Sequence, residues 1–188
     1  MPDENTPAIE QIPVTESLFL RAVDERYVTE LHQLVIKNRV WLQQSLNWPA
    51  DVSHEDETRR HVQSNMMLHQ RGYAKMFLLF LDEKIIGVLS FNQIEPINKA
   101  AYIGYWIDER HQGQGLLSQA LQAFMDYFAR NGTVRRFVIK CRVSNLRSNQ
   151  VALRNGFSLE GCLKQAEFLN GSYDDQNIYG RIIDFSRQ

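Results

Sequence analysis

Apolar positions along this chain follow two spacings, and each change of spacing marks a boundary between elements. Within residues 14–22, Leu18 and Leu20 alternate with Phe19 and Arg21, which predicts a strand, since neighbouring strand side chains point to opposite faces. Asp24 then offers a helix cap. From there to about residue 45, Tyr27, Val28, Leu31, Leu34, Val35, Val40 and Leu42 fall at three- and four-residue steps on one helical stripe, carried by one helix or two short ones. Asn47-Trp48-Pro49 ends that segment, and Ser53 with Asp56 predicts the cap of another helix, stopped near residue 71 by Gly72. Three strand-like runs follow at 74–81, 84–92 and 100–107, joined by Asp82-Glu83 and by residues 95–99, and predict an antiparallel meander. In Leu116, Leu117, Ala120, Leu121, Phe124, Met125 and Phe128 the period returns to that of a helix, with Gln119, Gln122 and Asp126 on its other side. A strand at 134–143, a helix capped by Asn145 and stopped by Gly156, and two strands at 157–168 and 175–184 around a turn at 170–174 complete the order. That mixed order predicts one α+β domain over 1–188, a single mixed, mostly antiparallel sheet flanked by helices and not a doubly wound parallel one.

Composition narrows the function classes. With 21 Lys+Arg against 22 Asp+Glu, the net charge of −1 lacks the overall positive field that non-specific binding to phosphate backbones requires, so no direct nucleic-acid partner is expected. Cys141 and Cys162 stand apart, without a CxxC pair or a His at ligand spacing, which encodes neither a metal site nor a disulfide framework. Reduced thiols fit a cytoplasmic setting. Residues 1–13 carry acids and prolines where a secretory signal needs basic residues and an apolar run, and nothing approaches the ~18 apolar residues of a membrane span. Residues 1–12 read as a loosely held arm.

Chemistry is written most clearly at Arg110-His111-Gln112-Gly113-Gln114-Gly115, between a predicted strand and a predicted helix. Glycines there let successive N–H groups turn toward one anion while the free N–H groups of the following helix add a favourable dipole, so a diphosphate fits. An isolated pair of glycines also serves merely to make a tight connection. A P-loop would need Lys and Ser or Thr after the last glycine, where Leu116 and Leu117 stand. A dinucleotide fingerprint would need an acid at the end of the next strand, where Lys140-Cys141-Arg142 stands.

Strand, Arg-x-x-Gly-x-Gly and amphipathic helix together resemble the acyl-CoA pyrophosphate loop of the GNAT N-acetyltransferases, and the element order resembles that fold. Asn145, Ser148, Gly156-Phe157 and Glu160-Gly161 are similar to the N-x-x-S…G-F-x-x-E-G signature of the branch that acetylates protein N-termini, and Trp41-Leu42 with Asn47-Trp48-Pro49 match its early helices. The segments around Tyr102 to Trp106, Cys141-Arg142 and Gln165 to Gly171 are similar to members acting on the N-terminal serine of a ribosomal protein. Likeness extends over about residues 14–184.

This resemblance implies that backbone N–H groups of Gln112, Gly113, Gln114 and Gly115 hold the diphosphate of acetyl-CoA, the cosubstrate, with Arg110 opening the loop. It implies that the pantetheine lies along the backbone of Tyr105, Trp106 and Ile107 as an added strand would. Glu167 is then the base that takes the amine proton through water, and Ser148 the donor to the departing thiolate. Asn145 both caps its helix and meets a pantetheine amide. Cys141 lines the pocket without acting as a nucleophile, because direct attack by the amine needs no acyl-enzyme. Position alone leaves plainer readings open: Glu167 as an exposed strand glutamate, Ser148 as a local hydrogen-bonding residue, Trp106 as a sheet residue. An α-amine with a pKa near ~7.7 is partly neutral at neutral pH, whereas a lysine-like amine near ~10.4 needs a stronger base or more desolvation. The acceptor implied is a protein N-terminus, that of a ribosomal protein; a different N-terminus, a polyamine, an aminoglycoside or a non-catalytic CoA sensor are the alternatives. His32, His54, His61 and His69 read as surface residues. The segment from Trp41 to Trp48 and Asp174-Asp175 border a groove for the acceptor, and the late hairpin is where a homodimer would pair.

Overall fold

A computed structural model describes residues 8–187. Its strands are β1 (Gln11–Pro13), β2 (Leu18–Ala22), β3 (Lys75–Leu81), β4 (Lys84–Glu95), β5 (Ala100–Ile107), β6 (Arg136–Arg142), β7 (Ser158–Leu169) and β8 (Ser172–Ile182). Its α-helices are α1 (Val28–Lys37), α2 (Arg39–Leu42), α3 (Glu55–Arg71), α4 (Leu116–Arg130) and α5 (Leu146–Arg154). The strands form one eight-stranded sheet in the order β1-β2-β3-β4-β5-β6-β8-β7. Every neighbouring pair is antiparallel except β5 with β6, which agrees with the α+β expectation. No helix among the described residues is long and apolar enough to cross a membrane.

Helices cover the two faces separately. Ala120, Leu121, Phe124, Met125 and Phe128 of α4 are buried, as the periodicity predicts, and join Phe77, Phe91 and Phe137 of the sheet in one cluster. Phe91 stacks on Phe124 with ring centroids 4.3 Å apart, and Phe77 meets Phe124 edge-on at 5.4 Å. On the opposite face, Val28, Leu31 and Val35 of α1 and Val62 of α3 pack with Met76, Leu78 and Val88. The central strands β3 and β4 therefore feed two cores, and they read as nearly continuous apolar runs because both of their faces are covered.

Several boundaries differ from the sequence reading. The first strand is a hairpin: Val14 and Thr15 N–H groups donate to the Leu18 carbonyl (3.0 and 3.1 Å), which breaks 14–22 into a turn and β2. Of the expected loose arm, residues 1–7 lie outside the described residues. Gln11–Pro13 is not loose, since it pairs with β2 and buries Ile12. Ser53 is not the helix cap; His54 is, and the Ser53 N–H donates to the Glu57 carboxylate (2.9 Å) one residue earlier. Gly72 does end α3, at φ 77°. The last hairpin turns on Asn170 and Gly171 alone, both at positive φ (49° and 82°), so β7 and β8 are longer than expected.

Gly87 shows how closely β4 and β5 approach: a Cβ there would lie 2.4 Å from the Trp106 carbonyl oxygen and 3.0 Å from the Ile107 Cα. Both are backbone atoms in mid-sheet. Gly87→Ala is expected to destabilise the fold by about 1–3 kcal/mol. A midpoint in urea unchanged from the parent chain would refute this.

Candidate active site

β5 and β6 pair only where Ala100, Ala101 and Tyr102 face Arg136, Phe137 and Val138. Beyond that point β5 continues to Ile107 against β4, and β6 runs on against β8. The sheet thus splits, and residues 103–107 turn their free backbone edge toward a cavity of about 900 Å³. An extended chain carrying amides is the natural complement of such an edge. Side chains alternate along β5: Tyr105 packs against the α4 side and Trp106 against the α1 side.

α5 brings the hydroxyl chemistry to this split. The Asn145 carboxamide oxygen accepts from the Ser148 N–H (3.2 Å), capping the helix as expected and fixing its first turn. Asn149 anchors the same turn from below. Its amide donates to the Arg142 and Asn145 carbonyls (3.0 and 2.7 Å), and its oxygen accepts from Asn177 (2.8 Å) and the Tyr179 hydroxyl (2.6 Å). Ser148 Oγ and the Tyr105 hydroxyl lie 2.5 Å apart across the cavity wall. Burial pushes the Tyr105 phenol far up, so it stays an O–H, and with Tyr105 as donor the serine proton is free for another acceptor. Cys141 is buried beside them, and burial raises its thiol above the ordinary range, which keeps it neutral and a poor nucleophile.

Glu167 enters from the far side. Between Leu163 and Glu167 the register of β7 on β8 shifts, with Gln165 at φ 48°, and past this bulge Glu167 and Leu169 turn together to the cavity wall. The carboxylate is half-buried and 3.8 Å from Arg142 Nε, which also lies 3.4 Å from Asp174. Burial lifts the Glu167 carboxyl above the ordinary glutamate value; Arg142 pulls against this and Asp174 adds to it.

The glycine loop leaves the end of β5. Gly113 and Gly115 have φ of 73° and 74°, in the left-handed region, and no side chain caps α4 behind them. Gly113, Gln114 and Gly115 are exposed, so the N–H groups and the bare helix end can receive an anion. Asp108, buried just ahead of the loop, would repel one. Its carboxylate is instead met by His111 Nδ1 at 2.9 Å and Lys37 Nζ at 3.6 Å. Burial would raise Asp108, but Asn38, His111 and Lys37 outweigh it and hold the group below the ordinary value.

A family model for the acetyltransferase (GNAT) domain matches residues 17–158. The chain belongs to the GNAT acetyltransferases. Among its relatives, the ribosomal-protein-serine acetyltransferase of Escherichia coli (strain K12) is 66% identical over 175 residues, covering 93% of this chain and 98% of that protein. The ribosomal protein uS5-alanine N-acetyltransferase of the same organism is 33% identical, covering 86% of this chain and 85% of that one. A solved structure of RimL, a ribosomal L7/L12 α-N-protein acetyltransferase in complex with coenzyme A through a disulfide to one of its cysteines, superposes with a TM-score of 0.91. It is 66% identical and covers 93% of this chain and 99% of its own.

Within this GNAT chain, Tyr105, Trp106, Ile107, Gln112, Cys141, Asn145, Ser148 and Glu167 all line the one cavity. Arg110, Gly113, Gln114 and Gly115 lie off its wall, in the exposed turn leading to α4, and Arg110 makes no ion pair among the described residues. Sequence reasoning missed Arg142 and Asn149. Arg142 meets Glu167 and Asp174, and Asn149 meets Asn177 and Tyr179 besides its near neighbours, and no spacing rule reaches those distant partners. It also misplaced two histidines: His32 is half-buried against Thr58 (2.8 Å), and His69 against Glu10 (3.0 Å) and the Phe77 ring.

Proposed function

We propose that this GNAT acetyltransferase moves acetyl from acetyl-CoA to the α-amine of an N-terminal serine, and that its acceptor is a ribosomal protein. The observation that carries this reading is the meeting of Tyr105, Ser148 and Glu167 around one cavity at the open edge of β5. Identity of 66% to a ribosomal-protein-serine acetyltransferase, across nearly both whole chains, supports the acceptor. The backbone edge of residues 103–107 holds the pantetheine, and the N–H groups of the glycine loop hold the diphosphate. Glu167 takes the proton from the amine, directly or through water, as its nitrogen bonds to the thioester carbon. As the carbon–sulfur bond breaks, Ser148, held by the Tyr105 O–H, gives its proton to the sulfur and regains one from solvent, while Glu167 returns the amine proton to solvent. Two copies pairing through the late hairpin, where Leu159, Leu163, Phe168 and Tyr173 are exposed, and a cytoplasmic site of action belong to the same reading. Sedimentation at a single 22.0 kDa species would remove the pairing.

Thiol release from acetyl-CoA with a panel of short peptides tests the activity. Release with a Ser-starting peptide is expected. Release with polyamines alone would overturn the acceptor, and none with any amine would leave a CoA sensor.

The pH profile of kcat should fall in two steps on the acid side, one for the amine near ~7.7 and a lower one for Glu167, itself above an ordinary glutamate. A raised pKa means the active carboxylate is lost at a higher pH on acidification. Arg142→Ala removes the charge that favours the carboxylate, so the lower step should move further up, while Arg142→Lys should restore it. A lower step that stays in place in Arg142→Ala would separate Glu167 from the rate.

A further inference from the structure

A second cavity, of about 380 Å³, lies on the α1 side of the sheet and takes no part in the transfer described above. Val35, Trp48, Val52, Met76, Val88 and Trp106 wall it. The Trp48 and Trp106 rings stand 6.3 Å apart at 55°, forming its aromatic side. Asn92, Gly104, Tyr105 and Trp106 line both cavities, so the two meet where β5 leaves β6. The first cavity also touches Trp41 and Leu42 of α2, beside α1, as well as Ser148 of α5, and so passes through the split to the same face.

Several polar groups of the second cavity are already engaged. Thr58 meets His32 at 2.8 Å, Glu57 accepts from the Ser53 N–H, and Ser90 donates to the Asn92 carboxamide oxygen at 2.8 Å. What remains is largely apolar surface, with the Asn47, His61 and Asn65 side chains also on the lining, and the Asn92 amide, whose Nδ2 meets no acceptor among the described residues and stands at the shared wall. The register of β4 shifts at this point, and the Asn92 carboxamide lies over Gly104, where an added Cβ would meet Nδ2 at 2.5 Å. A serine hydroxymethyl would fill a small part of this hollow and leave most of its walls without contacts.

We propose that the second cavity is the subsite for the side chain of the acceptor's second residue, that it selects a large apolar one, and that the Asn92 amide holds the preceding carbonyl. This rests on the N-terminal transfer reading. With the α-amine between Glu167 and Ser148, the residues that follow in the acceptor have the wall shared by the two cavities, at Asn92, Gly104, Tyr105 and Trp106, open to them, each advancing by about 3.3–3.6 Å. The geometry is continuous with the first cavity, and the lining suits an apolar occupant.

The test is steady-state thiol release with acetyl-CoA and peptides starting Ser-X, where X is Gly, Ala, Val, Leu or Phe. Across that series kcat/KM is expected to rise by about tenfold or more, mainly through KM, as apolar area is buried. Val52→Phe, which fills the hollow, should lower the rate for Ser-Leu far more than for Ser-Gly and collapse their ratio. Should that variant fail to fold, Trp48→Ala, which widens the hollow, must shift the preference toward Phe. Brisk release that is flat across the series, or a Leu-to-Gly ratio that survives both variants, would overturn the subsite and leave the transfer reading standing. No release from any Ser-starting peptide would sink the transfer reading and the subsite with it.

Discussion

Glu167→Gln is expected to lower kcat for a Ser-starting peptide by about 10²–10⁴-fold while leaving the dissociation constant for CoA within twofold. The magnitude follows from the role. The attacking amine must lose a proton as its bond to carbon forms, and a carboxamide of the same shape cannot take it. Binding is spared because the carboxylate lies on β7, across the cavity from the backbone edge of β5 and from the glycine loop. Arg142 would keep Asp174 as a partner at 3.4 Å, so the hairpin should stay folded. Ser148→Ala is expected to cost less, because water can protonate a departing thiolate, whose pKa is near that of an ordinary thiol at ~8.5. Equal losses in the two variants, or a Glu167→Gln chain with parental kcat, would remove Glu167 as the base and leave it as the ion-pair partner of Arg142.

How much of this was legible in the sequence depended on the distance over which each feature is determined. The burial of α4 could be read from periodicity because a helix repeats its own pattern within four residues, and the β3-β4-β5 meander because short turns separate its runs. The loop at Gly113 and Gly115 was legible because glycine marks positive φ locally. The early strand was misread at Val14 and Thr15, where β-forming residues make a turn by hydrogen bonding to the Leu18 carbonyl. Interactions within the site were less legible. Tyr105 and Ser148 are 43 residues apart, and Arg142 meets Glu167 only because β8 inserts between β6 and β7, an order that chain sequence does not announce. The resemblance named Glu167 and Ser148, but the partners that tune them came from the packing.

Gly115→Val should raise KM for acetyl-CoA by about 10- to 100-fold with little change in kcat, and here the fold itself is not what fails. Space is no obstacle, since the nearest atom to an added Cβ is the end of the flexible Gln119 side chain at 3.9 Å. The obstacle is φ of 74°, where an L-residue pays about 1–2 kcal/mol and a β-branched one more. Either the loop keeps its shape at that cost, with a branched side chain beside the N–H groups proposed to hold the diphosphate, or it relaxes to negative φ and turns those N–H groups away. Both weaken the hold on an anion, and neither touches Glu167 or Ser148. Gly72→Val separates backbone strain from binding. Gly72 has φ of 77° and nothing within 4 Å of its Cβ position, but it ends α3, well away in sequence from the loop. The two variants should lose similar stability in urea, while only Gly115→Val loses affinity for acetyl-CoA. If KM rises equally in both, general loosening explains the effect and the glycine loop is not the diphosphate site; if it rises in neither, the diphosphate is held elsewhere.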